Sequence, residues 1–307
     1  MLTKTLKVVV LFIAVFCLGA AYAGDLEDGN AALLGKNYSL ALSKYKSVAV
    51  KNNAYAQLQI GNMYNEGLGV AQDYAEAVKW YKLAAAQGEA SAQYSVGFMY
   101  YSGQGVVQDY SEVVKWFRLA AAQGDASAQF SLGLMYYNGQ GVVQDFAEAV
   151  KCYKLAAAQG VAQAQFNLGV MYDKGQGVAQ DYAEAVKWYK LAAAQGEASA
   201  QYSVGFMYYG GQGVVQDYAE AVKWYKLAAA QGDASAQLSL GLMYYNGQGV
   251  VQDYLRAHMW WNLAAVKNNA DAEKNRDIVA KKMNTQQIAA AQKLARECHA
   301  RNYKNCD

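Results

Sequence analysis

The stretch DYAEAVKWYKLAAAQ, residues 73–87, places Tyr74, Ala77, Val78, Tyr81, Ala84 and Ala85 at i, i+3, i+4, i+7, i+10 and i+11. That is one apolar stripe of helical period, and it predicts an amphipathic helix. Glu76, Lys79 and Lys82 fall on other faces, with Glu76 and Lys79 three apart and suited to pair. The next stretch, ASAQYSVGFMYY (90–101), is apolar nearly all round. Ala92, Val96 and Tyr100 form one stripe, and Tyr94, Phe98 and Tyr101 form a second, roughly opposite. A helix with two apolar faces must be covered on both or offer one to a partner.

This helix pair recurs. The segment GQGVVQDY begins at Gly103, Gly211 and Gly247, with near-copies at Gly67, Gly139 and Gly175, a constant step of 36 residues. Six units start near Ala54, Ala90, Ala126, Ala162, Ala198 and Ala234. A coarser copy lies above them: residues 71–146 match 179–254 with seven differences, among them Ser102/Gly210, Phe117/Tyr225, Arg118/Lys226 and Phe130/Leu238. Units of this size cannot bury themselves singly, so stacked antiparallel helix pairs are expected. A glycine sits mid-helix in each unit (Gly61, Gly97, Gly133, Gly169, Gly205, Gly241). Each costs about 1 kcal/mol against alanine, which predicts two helix backbones crossing too closely for a Cβ. Residues 24–53 read as an N-terminal capping pair and 270–307 as C-terminal capping helices, the last starting at an N-cap Asn284 or Thr285.

The glycine-rich segment itself raises a question of chemistry, since such loops can cradle phosphate. Here the glycines follow a helix rather than a strand, so the phosphate-loop arrangement is absent. Asp109 reads as the N-cap of the next helix, and Glu112 as its capping-box partner. The pattern recurs at Asp73/Glu76, Asp145/Glu148, Asp181/Glu184 and Asp217/Glu220, and changes at Asp253/Arg256.

Residues 92–124 carry Ala92, Val96, Gly97, Tyr100, Gly103, Gly105, Val106, Asp109, Trp116, Ala120, Ala121, Gln123 and Gly124. This unit resembles the Sel-one-like repeat, a relative of the tetratricopeptide repeat, and departs from its neighbours only at Val113 and Phe117. The resemblance covers 54–269, and the segment after Asp253 resembles the closing segment of bacterial members. It implies an all-α, right-handed α-solenoid superhelix of tetratricopeptide-like helix pairs. It also implies adaptor or scaffold work in which the first helix of each pair lines a concave groove. Transferred to this chain, that groove comprises Ser91, Tyr94, Phe98, Tyr101 and Ser102; Phe130, Leu134 and Tyr137; Phe166, Val170 and Asp173; Tyr202, Phe206 and Tyr209; and Leu238, Leu242 and Tyr245. This is the second stripe found by periodicity, and aromatic anchors of this kind suit a protein or peptide partner.

Composition narrows the picture. The 307 residues include 54% apolar residues, 26 tyrosines, 28 glycines and no proline, so a large core is available and glycine makes the turns. Residues 1–23 read as a signal peptide: Lys4 and Lys7, an apolar run from Val8 to Leu18, and cleavage after Ala23. A periplasmic or secreted protein is therefore expected, in contact with membrane only during export. Without that segment the chain holds 25 basic and 25 acidic residues, which does not suggest nucleic acid. Export permits a Cys298–Cys306 disulfide that staples the last helix to the tail. Cys152, where other units carry tryptophan, reads as a buried substitute. His258 and His299 lie in no ligand-spaced cluster, so no metal or cofactor is expected. One cysteine-rich branch of the family is associated with β-lactamase-like hydrolysis, but its cysteine pairs are missing here. Three readings follow in order: a non-catalytic protein-binding scaffold of the cell envelope, a glycan- or peptidoglycan-binding spacer, and a β-lactamase-like hydrolase.

Overall fold

The computed structural model describes residues 24–267 and 269–306, and the expected signal peptide lies outside them. Among the described residues every regular element is a helix. The chain forms two compact units that divide between Asp145 and Phe146. The first holds α1 (24–34), α2 (Tyr38–Ala49), α3 (Ala54–Glu66), α4 (Tyr74–Ala86), α5 (Ala90–Ser102), α6 (Tyr110–Ala122) and α7 (Ala126–Asn138). The second holds α8 (Phe146–Ala158), α9 (Ala162–Lys174), α10 (Tyr182–Ala194), α11 (Ala198–Gly210), α12 (Tyr218–Ala229), α13 (Ala234–Asn246), α14 (Tyr254–Ala265), α15 (Ala270–Ala280) and α16 (Thr285–Ala300). In each repeat the first helix (α3, α5, α7, α9, α11, α13) is called A and the second (α4, α6, α8, α10, α12, α14) is called B.

The B helices bury the stripe that periodicity marks: Ala77, Val78, Tyr81, Ala84 and Ala85 on α4, and the equivalent residues on α10 and α12. Their N-termini are capped by Asp73, Asp109, Asp181, Asp217 and Asp253, each accepting a backbone N–H two or three residues on. The expected capping box does not form there. Its second bond needs the backbone N–H of the N-cap residue, and that group already donates to the preceding A helix: Asp73 N–H to Tyr64 O at 3.0 Å, Asp181 N–H to Tyr172 O at 3.0 Å. The glutamate turns instead to a lysine three residues on, Glu76 to Lys79 and Glu184 to Lys187, both at 2.7 Å. A capping box does form at α16, where Asn284 is the N-cap, Thr285 the first helical residue and Gln287 the reciprocal partner.

The mid-helix glycines have a different cause from the one periodicity suggests. A Cβ on Gly61 would lie 2.5 Å from the Tyr81 ring, on Gly97 2.6 Å from Phe117, and on Gly205 2.7 Å from Tyr225. What approaches closest is an aromatic ring of the B helix, joined at Gly205 by the Ala221 carbonyl oxygen at 3.2 Å. The close backbone approach occurs in the loop: Gly105, at φ +70°, would place a Cβ 2.3 Å from the Tyr74 carbonyl oxygen at the start of the preceding B helix. The glycine loop therefore seats one repeat on the last.

A buried polar ladder also runs through the repeats. Gln93 donates to Ala85 O at 3.3 Å and accepts from Gln123 at 2.8 Å. Gln57/Gln87, Gln165/Gln195 and Gln201/Gln231 repeat the amide pairing at 2.7–2.9 Å. Gln57, Gln93, Gln165 and Gln201 are thus satisfied by a neighbour 30 residues on, whereas buried Gln237 has Lys267 at that step and its Oε1 finds no hydrogen-bond partner.

Candidate functional site

Within each unit the A helices turn one face to their B helix, and their second aromatic stripe stays partly or fully exposed. Of the thirteen stripe residues Tyr94, Phe98, Tyr101, Phe130, Leu134, Tyr137, Phe166, Tyr202, Phe206, Tyr209, Leu238, Leu242 and Tyr245, none is buried. Phe98 and Phe206 are each 46% exposed. Asp173, also on this stripe, accepts the Tyr189 hydroxyl at 3.3 Å.

Two cavities open on the stripe. One, of about 220 Å³, is bounded by Tyr94, Phe98 and Tyr101 of α5, by Phe117 of α6 beneath them, and by Ser131, Leu134, Met135, Asn138 and Gln140. The other, of about 150 Å³, has Tyr202, Phe206 and Tyr209 of α11, Tyr225 of α12, and Ser239, Leu242 and Met243 of α13. Ring contacts set their walls: Tyr94 stacks on Phe117 at 5.3 Å, Tyr101 meets Tyr110 edge-on at 5.9 Å, and Tyr202 tilts over Tyr225 at 5.6 Å. Burial pushes the Tyr225 phenol above its ordinary pKa, and burial does the same to Tyr202, whose hydrogen bond to Ser239 opposes it. Neither lining contains a carboxylate, imidazole, thiol or ammonium group. Such cavities can bind uncharged apolar groups, and their polar side chains are tyrosine and serine hydroxyls with the Asn138 and Gln140 amides of the first. The B-helix floor rings and the serine and methionine walls escaped the sequence reading. Only the departure from tyrosine at Phe117 hinted at them.

Elsewhere the candidate chemistry is occupied. His258 is buried within α14, and Cys152 is buried on α8. Cys298 and Cys306 form a disulfide, and His299 stacks edge-on against Tyr303. Among the described residues no group of three His, Cys, Asp or Glu side chains is placed to hold a metal, and no helix is long and apolar enough to cross a membrane. One Ser-x-x-Lys spacing of the acylating kind occurs, Ser43 to Lys46 on α2. Ser43 is exposed, and Lys46 donates to the Tyr64 hydroxyl at 3.2 Å and lies over that ring.

Comparison with known families agrees with this architecture. The Sel1 repeat model matches six times, at residues 54–89, 90–125, 126–161, 162–197, 198–233 and 234–269. The chain belongs to the Sel1 repeat family. It is similar to a Sel1 repeat protein from Oxalobacter formigenes at 32% identity and a TM-score of 0.68, over 78% of this chain and 96% of that one. It is also similar to a protective antigen present in uropathogenic Escherichia coli strains that displays an SLR fold. There the identity is 26% and the TM-score 0.54, over 94% of this chain and 86% of that one. A comparison with curated protein sequences finds no match. Sel1 repeat proteins generally are protein-interaction scaffolds, and the fold is typically non-catalytic.

Proposed function

We propose that this Sel1 repeat protein is a non-catalytic scaffold of the bacterial cell envelope that holds a protein or peptide on the aromatic stripe of its A helices. The observation that carries the reading is the pair of matching, uncharged aromatic cavities on that stripe. Exposed aromatic patches of this kind mark interaction sites, and a peptide anchored by apolar side chains suits walls that offer no charge. The envelope assignment rests on the signal-peptide pattern of residues 1–23.

The test is capture from envelope extract with the full chain and with a variant carrying Tyr94→Ser, Phe98→Ser, Tyr202→Ser and Phe206→Ser. Loss of captured protein with unchanged helicity is the expected result. Undiminished capture by the folded variant moves the partner off the stripe. Loss of peptidoglycan co-sedimentation with protein capture intact turns the stripe into a glycan-binding face instead.

A further inference from the structure

The ring beneath the mid-helix glycine is Tyr81 at Gly61, Phe117 at Gly97, Tyr189 at Gly169, Tyr225 at Gly205 and Trp261 at Gly241. At Tyr81, Tyr189 and Tyr225 the hydroxyl reaches the stripe side and is engaged there. Tyr81 donates to Asn62 at 2.9 Å, Tyr189 donates to Asp173 at 3.3 Å, and Tyr225 is hydrogen-bonded with Ser239. Phe117 alone is a phenyl ring, and it floors the larger of the two cavities.

The two cavities form a natural comparison. Tyr94, Phe98, Tyr101, Ser131, Leu134 and Met135 in one correspond to the same residue types 108 positions later in the other. Of the differences between the two copies, only Phe117/Tyr225 lies in the walls. The mouths also differ: Asn138 and Gln140 border the first cavity, whereas Asn246 donates to Gln248 at 3.1 Å beside the second.

Resting on the stripe as the binding face, we infer that the cavity over Phe117 is its primary anchor pocket and takes a bulky, uncharged, tryptophan-sized side chain from a partner peptide. Phe117 against Tyr225 is the residue pair that sets this preference. An apolar cavity of about 150 Å³ suffices for a benzene ring. The second cavity is of that size, whereas the first, at about 220 Å³, has room for a fused bicycle. A large apolar group over Tyr225 would also bury or displace the Tyr225–Ser239 hydrogen bond, and a buried polar group left unpaired is costly. Over Phe117 the floor carries no phenol hydroxyl to displace. The absence of charge in the walls disfavours lysine, arginine, aspartate and glutamate as the anchor. Asn138 and Gln140 at the mouth can meet the amides of the peptide that carries it.

Met135 and Met243, one in each cavity, report the two pockets separately. The experiment labels methionine methyl groups with carbon-13 in the full chain, assigns both signals by Met→Leu replacement, and titrates N-acetyl-L-tryptophanamide. The Met135 signal should respond at roughly tenfold lower concentration than Met243. Phe117→Tyr should remove that advantage, Tyr225→Phe should move Met243 toward Met135, and N-acetyl-L-glutamic acid amide should perturb neither. Equal response of the two methionines, or indifference to both exchanges, overturns the inference and leaves the stripe as a binding face. Silence of both methionines toward every apolar probe overturns the pockets as anchors and the stripe reading with them. Most repeats already carry tyrosine at the first position. Should Phe117→Tyr nonetheless lose helicity, the Tyr225→Phe arm decides alone.

Discussion

Helices α10 and α14 hold the same place in their repeats, yet their outer sides meet different surroundings. On α10, Leu191 is 49% exposed and Lys187 is ion-paired with Glu184 in solvent. On α14 the equivalent residues are Leu263, 2% exposed, and Met259, fully buried. The cover is α16, whose Ala295 and Cys298 join the same core and whose Arg296 and His299 face Leu263 across the seam. The inner face keeps Ala185 and Ala192 as Ala257 and Ala264, all fully buried, and exchanges Val186 for His258 and Tyr189 for Trp261, both replacements 2% exposed. An end is therefore made by covering the solvent face of an ordinary repeat, with two replacements in its interior. A repeat array needs such an end, because the last unit has no successor to stack against.

The largest effect comes from restoring the repeat residue where the cover lies. Met259→Lys should cost about 3–5 kcal/mol in chemical denaturation, the scale of an unpaired charge left in a core. Lys187→Met should cost almost nothing. A mild Met259→Lys would mean that α16 lifts off freely and that the end is not built by this face.

Truncating the shared leucine sharpens the same contrast. Leu263→Ala should cost about 2–5 kcal/mol, as buried leucines do, while Leu191→Ala should stay within about 0.5 kcal/mol. Similar losses at both positions would show that the exposed leucine of α10 is itself covered in solution.

Inside one repeat, two glycines with different reasons can be told apart. Gly205 is helical, and its Cβ would strike the Tyr225 ring at 2.7 Å; Gly196 sits at φ +90° with open space around it. Gly205→Ala should cost about 1–3 kcal/mol by overpacking, and Tyr225→Ala in the same chain should absorb part of that loss. Gly196→Ala should cost about 1 kcal/mol through backbone conformation alone, unaffected by changes at Tyr225. Identical responses to Tyr225→Ala would remove the ring as the reason for the mid-helix glycine.

These glycines also mark where sequence reasoning stops. The 36-residue step, the helix pairs, the aspartate caps and the αL glycines are legible because they rest on local periodicity and turn chemistry. Periodicity identified a second apolar stripe on the A helices and could not say what meets it. The ring over Gly205 comes from 20 residues on, and the partner of Gln201 from 30 residues on, at Gln231. Neither distance leaves a helical signature. Glu76 is the reverse case: the local pattern for a capping box is present, and the carbonyl of Tyr64 pre-empts the bond it needs. The pockets lay beyond reach for the same reason, since Phe117 and Tyr225 belong to the B helix while the stripe belongs to the A helix.

The smallest effect concerns the histidine in the rewritten helix. His258 stands on α14 where α10 carries Val186, and it is 2% exposed. Burial lowers its pKa from the usual 6.5, and Arg276 lowers it further, while Asp277 acts in the opposite sense. The unfolded chain takes up a proton near the ordinary value while the folded chain still resists it. Proton uptake on unfolding makes stability rise with pH. The contribution is thus complete above about pH 7 and shrinks as pH falls below about 6.5. Melting temperatures at pH 7.5 and 5.5 should diverge more for the wild-type chain than for His258→Val, which restores the residue of the regular repeat. If both chains lose the same amount on acidification, the proton is taken up elsewhere and His258 is only a space-filling replacement for valine.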